Sequence, residues 1–451
     1  MDYIIYFIIT IAILVFVHEF GHFAAAKLSK MRVDVFALGF GKRLFGYNKL
    51  SGFTFGDLPK DFDGQGNTDY RLSLLPLGGY VKIAGMVDES FDTKFADSEP
   101  KPYEFRAKKT LPKLFVISAG VMMNLTLTIL IFWGINFFQG KQVAKTTTIN
   151  TVESGSFAEK LGFNSFDRII SINGEKIENW DDIIDNLLLQ NTSKDVSILL
   201  ERNGFQKSIK ISRSDITTNS QHGFFLNYYP TEVIIDQVMK DSPAQKAGFK
   251  TGDLLYAING ITIKEGKQVN NIIKANLGKE LSVVLFRDKD SIKTQVKADA
   301  SGLIGISHGT IFSGEVEYRT YGVFGSFTRS VENIGQYTVL TFSMLKNVIT
   351  GRIEFKEAFG GPIKIAQFAA KSADSGAIPF LYFLAILSLS LAIINILPFP
   401  VLDGGHFVII LLEGLFRKEL PIKIKIAIQN TGFVILLLLM AFILYNDLIS
   451  L

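Results

Sequence analysis

The sequence predicts a polytopic α-helical membrane protein: four transmembrane helices, two tandem α+β domains outside the membrane, and a membrane-associated β-hairpin region on the cytoplasmic side. Three observations carry this. Four stretches, about 3–26, 113–138, 378–412 and 428–446, are apolar over a length that can cross a bilayer core. Between the second and third stretches one pattern occurs twice, 86 residues apart (Ser156 to Ser242). Basic residues gather beside particular spans: Lys27, Lys30 and Arg32 after the first, Arg106, Lys108, Lys109 and Lys113 before the second, and Arg417, Lys418, Lys423 and Lys425 between the third and fourth. The positive-inside rule places those two loops in the cytoplasm, and both termini and 140–377 outside.

Composition agrees with that class. Hydrophobic residues make up 48% of 451, which suits a membrane protein with a sizeable water-exposed part. A net charge of +4 implies no bulk attraction to nucleic acid, and the absence of cysteine excludes disulfides and zinc–thiolate sites. The N-terminal apolar run is not expected to be a cleaved signal, because nothing basic precedes it and it carries the motif described next.

Residues 3–17 (YIIYFIITIAILVFV) are apolar apart from Thr10 and the tyrosine hydroxyls, and His18-Glu19-Phe20-Gly21-His22 follows at once. On a helix His18 and His22 are i and i+4, share a face, and are spaced to grip one zinc ion, while Glu19 is placed to take a proton from the attacking water. A bare His-Glu-x-x-His match is common in soluble helices. Within a span, ionisable side chains are costly and by default mark function.

The cytoplasmic region, 27–112, contains Ser73-Leu74-Leu75-Pro76-Leu77-Gly78-Gly79-Tyr80-Val81-Lys82-Ile83-Ala84-Gly85, which reads as strand, turn, strand. Near the membrane, Gly79, Tyr80, Val81 and Lys82 can offer a free strand edge to an extended peptide; an ordinary loop hairpin fits the same residues. Residues 87–105 read as acidic and irregular.

In the outer region, Ser156-Phe157-Ala158-Glu159-Lys160-Leu161-Gly162-Phe163 matches Ser242-Pro243-Ala244-Gln245-Lys246-Ala247-Gly248-Phe249. The register continues through Asp167-Arg168-Ile169-Ile170-Ser171-Ile172-Asn173-Gly174 against Asp253-Leu254-Leu255-Tyr256-Ala257-Ile258-Asn259-Gly260. The period suits a duplicated small domain, 140–229 and 230–310, each with an amphipathic helix near 179–190 and 267–277. Both copies resemble bacterial-type PDZ domains; the first departs with Phe157 for Pro and Phe166 for Gly. The resemblance implies grooves near Gly223, Phe224 and Phe225 in the first copy and Gly305 and Ile306 in the second. Such grooves hold a C-terminal peptide as an added strand, although spacers that bind no peptide fit as well.

Residues 311–377 read as amphipathic linker helices at the membrane surface, with Thr328–Ile349 helical and Gly360-Gly361-Pro362 as the stop. The third span is broken by Pro398 and Pro400 in Asn395-Ile396-Leu397-Pro398-Phe399-Pro400-Val401-Leu402-Asp403-Gly404-Gly405-His406. Unpaired backbone at membrane depth is tolerated only when packed in protein or lining a wet cavity. Two histidines leave a catalytic zinc one protein ligand short; Asp403 is the obvious third, and His406, one turn on, competes.

Together these residues resemble the site-2 protease family of intramembrane zinc metalloproteases, which pairs His-Glu-x-x-His in its first core span with Asn-x-x-Pro-x-Pro-x-Leu-Asp-Gly in a later one. Both motifs are complete here, as His18–His22 and Asn395–Gly404, and the resemblance covers nearly the whole chain. One departure is Ala119-Gly120-Val121-Met122-Met123-Asn124, where the family has Pro at the third position. The resemblance favours Asp403 as ligand and implies that Asn395 binds substrate backbone, for which an interhelical hydrogen bond is the plainer reading. It also implies one Zn2+, a bacterial inner membrane, and regulated cleavage of a single-span anti-sigma factor already trimmed by an upstream protease. Clearance of remnant signal peptides is a second implied activity. The alternative from another class is a non-catalytic PDZ-based membrane receptor or scaffold that binds exposed C-termini. A soluble zinc peptidase is disfavoured by the four spans.

Overall fold

The computed structural model describes residues 2–449 except 60–61, 87–98, 190–194, 213–215, 217–225, 289, 300–301 and 351–359. The chain divides into two compact units, one made of 1–140 and 320–451, the other of 141–319.

The first unit begins with α1 (Asp2–Leu28), apolar up to Lys27 apart from Asp2, Thr10 and the His18–His22 motif. Three strands follow, β1 (Val33–Asn48), β2 (Gly52–Phe55) and β3 (Asp69–Ile83), in sheet order β2-β1-β3. Residues 73–85 do not pair with themselves as the expected hairpin. Phe36 faces Val81 on one side and Tyr70 on the other, and Ala37 likewise faces Tyr80 and Arg71. The start of β1 therefore lies between the two halves of β3, which bends at Gly78 (φ 126°). The reason is apolar burial: Val33, Phe36, Val81 and Ile83 pack with Ala25 and Ala26 of α1, and interleaving covers both sides of the Val33–Leu38 backbone. Among the described residues, Gly79–Ile83 pairs only with β1, so its other edge is open.

α2 (Thr110–Phe138) closes this half against α1. Val121, where the family carries proline, lies inside an unbroken helix.

The second unit opens with β4 (Lys141–Ala144) and closes with a strand that pairs with it, described below. The first copy of the repeat comprises α3 (Phe157–Lys160), β5 (Arg168–Ile172), β6 (Glu175–Lys176), α4 (Trp180–Ile184), β7 (Val196–Arg202) and β8 (Phe205–Ile211). The second comprises β9 (Thr231–Val238), α5 (Pro243–Lys246), β10 (Leu254–Ile258), β11 (Ile261–Thr262), α6 (Gly266–Ala275), β12 (Glu280–Arg287), β13 (Asp290–Lys297) and β14 (Ile306–Phe312). β15 (Val316–Arg319) then pairs with β4, so the 311–377 segment starts as strand rather than linker helix.

The duplication extends to buried polar detail. Arg202 donates two 2.7 Å bonds to Asp167 and a third to the Gly162 carbonyl; Arg287 does the same with Asp253 and Gly248 at 2.7–2.8 Å. Each pair ties the Gly turn to the far end of a central strand. Ser156 and Ser242 cap α3 and α5 in the same way. Phe166 stands where the second copy has Gly252, and both are left-handed (φ 66° and 91°). The copies thus share this turn, although the first holds a bulky residue there at a cost of about 1–2 kcal/mol.

The chain returns to the first unit as α7 (Val323–Ile349), α8 (Pro362–Asp374), α9 (Ala377–Ile396), α10 (Asp403–Phe416) and α11 (Ile422–Ile449). Asp447 near the end of α11 accepts from the N–H groups of Gly361 and Ile363, supplying the first turn of α8 with the acceptor it needs. Among the described residues four helices are long and apolar enough to cross a membrane: 3–28, 110–138, 377–396 and 422–449.

Burial alone would raise the Asp253 carboxyl, but the bonds from Arg287 and the Lys250 N–H more than offset it and hold it below the usual aspartate range. A depressed folded pKa gives stability that is present above the unfolded value of about 4 and is lost as pH falls through the folded value. Asp253→Asn is expected to destabilise the second copy by about 3 kcal/mol at neutral pH and to remove that part of its acid sensitivity. Hydrogen exchange of the β10 and β12 amides against pH measures both; an unchanged pH profile contradicts the assignment.

Candidate active site

The site is built where α1, α2 and the start of α10 meet. α1 supplies His18, Glu19 and His22 from one continuous helix. α9 ends at Ile396, and the Leu397–Leu402 segment turns the chain before α10 starts at Asp403. Two prolines force this stop. Val401 takes φ 79°, a left-handed conformation that a β-branched residue rarely adopts, and such strain persists only where the surroundings impose it.

These elements bring three polar atoms together. His18 Nε2 lies 3.3 Å from Asp403 Oδ2, His22 Nε2 lies 3.4 Å from the same oxygen, and the two nitrogens are 3.3 Å apart. Ligands about 2.0–2.1 Å from a tetrahedral zinc stand about 3.3–3.4 Å from one another, so this triangle has the size of one face of a zinc tetrahedron. Asp403 Oδ2 is buried, and among the described residues it faces the two imidazole nitrogens without a hydrogen bond of good geometry, as expected of an oxygen reserved for a cation. His406 does not join the cluster; it lines the surrounding cavity with His18, Glu19, His22, Tyr80, Val81, Ile83 and Asp403. The residues fit a metal with three protein ligands and a fourth position open, the pattern of catalytic rather than structural zinc.

α2 forms the back wall. His22 Nδ1 donates to the Val116 carbonyl at 2.8 Å, which leaves Nε2 as the ligand atom. One turn on, Gly120 makes room for both rings: a Cβ there would stand 2.4 Å from His22 Nε2 and 2.7 Å from His18 Cε1. Two turns on, the buried Asn124 amide lies 3.2 Å from His18 Nδ1. The motif reading of α1 and α10 did not identify Gly120 or Asn124 as parts of the site.

Of the other expected site residues, Gly79 packs against α1 so closely that a Cβ would meet Val15 at 2.8 Å and the Glu19 stem at 3.1 Å. Tyr80 and Val81 line the cavity, whereas Lys82 lines a separate polar hollow with Arg32, Asp34 and Arg43. Asn395 sits half-buried in the last turn of α9 and is not among the residues lining the zinc cavity. Gly305 (φ 79°) and Ile306 lead into β14, the outermost strand of the second sheet. Gly223, Phe224 and Phe225 lie outside the described residues.

Fold and site together define a zinc metalloprotease embedded in a membrane protein. The chain belongs to peptidase family M50, the site-2 proteases, whose model matches residues 6–439. It is 30% identical to the regulator of sigma E protease of Haemophilus influenzae, covering 99% of this chain and 98% of the relative. It is 29% identical to the protease RseP of Yersinia pestis and 29% identical to the regulator of sigma-E protease RseP of Salmonella typhimurium, in each case over 98% of this chain and 97% of the relative. The non-catalytic scaffold alternative gives way to this assignment.

Gly120→Ala is expected to weaken zinc retention at least about tenfold while the helices still insert, because the added methyl occupies ring space. Metal content of the purified variant, beside its membrane fraction, measures this; full zinc occupancy would count against the close approach.

Proposed function

We propose that this chain makes the second, intramembrane cut in a single-span membrane protein of the anti-sigma-factor kind, after an upstream protease has trimmed the part outside. The observation that carries the reading is the His18–His22–Asp403 triangle, formed where an apolar helix meets the start of α10. About 15 apolar residues precede His18, about 22 Å of helix, which favours cleavage in the inner half of the bilayer. Basic residues beside the spans favour a bacterial inner-membrane orientation with both termini and 141–319 on the periplasmic side.

One Zn2+ at this site supplies Lewis-acid chemistry, acidifying water and polarising the scissile carbonyl. The chain's own residues do the rest. Glu19, beside the ligands in the same cavity, accepts the water proton and passes it to the leaving nitrogen. Gly79–Ile83 offers its open edge to an unwound stretch of substrate, and Tyr80 and Val81 bring that edge to the cavity. A helical substrate must give up its own carbonyl pairing before attack, and this edge repays it with backbone bonds. Asn395, at the end of α9, contributes a further bond to substrate backbone.

The two PDZ-like copies, 140–229 and 230–310, admit trimmed substrates, by excluding bulky ones or by reading the new C-terminus. An outermost β14 beside α6 supports strand addition in the second copy. Clearance of remnant signal peptides follows from the same chemistry.

The test is cleavage of a single-span substrate lacking its outer part, in detergent. Glu19→Gln is expected to keep zinc and lose about 100- to 10,000-fold in rate. Gly79→Val is expected to keep zinc and Glu19 but lose rate through the displaced edge. Equal cleavage by wild type and Glu19→Gln would remove Glu19 from the mechanism.

A further inference from the structure

We propose that Asn124 is a positioning residue for the metal centre: its side-chain carbonyl accepts from His18 Nδ1–H and so fixes the tautomer and ring plane in which His18 ligates. The inference rests on the zinc reading of the triangle.

Three observations lead to it. His18 Nε2 points at Asp403 Oδ2 and His22 Nε2, so it is the ligand atom and must carry a free lone pair. The proton of the neutral ring then resides on Nδ1, which needs an acceptor. Among the described residues the Asn124 amide is the side chain at that nitrogen, placed with Nδ2 3.2 Å from Nδ1. The two ends of an amide are nearly isosteric, and the hydrogen-bond network decides which faces the ring. With the nitrogen inward, as the structure has it, two donors would oppose each other once His18 is metallated, and Oδ1 is buried without a partner among the described residues. With the oxygen turned inward, Nδ1–H is satisfied.

The turn that carries Asn124 is itself held. Its backbone carbonyl accepts from Ser388 Oγ of α9 at 2.8 Å and from Thr128 Oγ1 at 3.0 Å. Asn124, Thr128 and Ser388 are all fully buried. The helix that ends at the break before Asp403 therefore also anchors the support of His18. His22 differs, because its Nδ1 acceptor is the Val116 backbone, which no substitution removes.

The experiment measures zinc affinity by chelator competition on the full-length protein in detergent, with absorption of the cobalt-substituted protein as a second readout. The variants are Asn124→Ala, Asn124→Leu and Asn124→Asp, with thermal unfolding of each metal-free protein as the fold control. Asn124→Ala and Asn124→Leu are expected to bind zinc about 10- to 100-fold more weakly with a shifted cobalt spectrum. Asn124→Asp, which can only accept at neutral pH, is expected to keep affinity within about threefold of wild type or better. If Asn124→Leu unfolds normally and binds zinc as wild type does, Asn124 only packs and the proposal is overturned. If Asn124→Asp loses zinc as the alanine variant does, the amide acts as donor and the proposal is likewise overturned. Wild type that holds no zinc while His22→Ala behaves identically would instead overturn the metal centre itself.

Discussion

Everything in the first unit answers to the cost of holding two imidazoles and a carboxylate where water is scarce. A carboxylate alone at that depth carries a penalty of several kcal/mol, and a polar nitrogen without a partner adds more. The solution is mutual. Asp403 faces both Nε2 atoms, and α2 turns a backbone carbonyl and a buried amide toward the two Nδ1 atoms. A cation held by these three residues would offset the carboxylate charge, and so would add to the stability of the helix packing.

That arrangement explains the otherwise odd features around it. The chain must stop after α9 to bring Asp403 up to α1, and Pro398, Pro400 and the left-handed Val401 are the visible signs of the stop. α2 must approach α1 closely, which requires a glycine opposite the histidine rings. The sheet must reach the same depth, which requires Gly79 against Val15 and Glu19. Small residues stand wherever two backbones converge on the site, and large ones fill the spaces between.

How much of this was legible in the sequence follows from how local each feature is. His18, Glu19 and His22 lie within one helical turn, so periodicity identifies them; Asp403 follows a proline-marked break with His406 one turn on, and the family resemblance favoured Asp403 of the two. The repeat was legible because its turns reuse the same Gly, Asn and Asp residues. The interleaving of β1 with β3 was not, because pairing partners more than 30 residues apart leave no local pattern: Phe36 reads as an ordinary strand residue whether it has one neighbour or two. Asn124 was illegible as a site residue for the same reason, since it touches His18 across 106 positions. The departure at Val121 was visible, but only the packed helix shows that α2 continues through it.

The interleaved sheet also separates two jobs that a plain hairpin would tie together. In a hairpin the turn sets the register of both strands, so a one-residue slip in the pairing moves every side chain on the far strand to the opposite face. Here Gly79–Ile83 takes its register from Val33–Leu38 rather than from the first half of β3. The chain bends at Gly78, where a Cβ would meet the Phe40 ring, and this bend links the two halves of β3 without setting the register of the second. The strand beside Glu19 thus keeps its phase through its pairing with Val33–Leu38, whatever the path of the chain that leads into it.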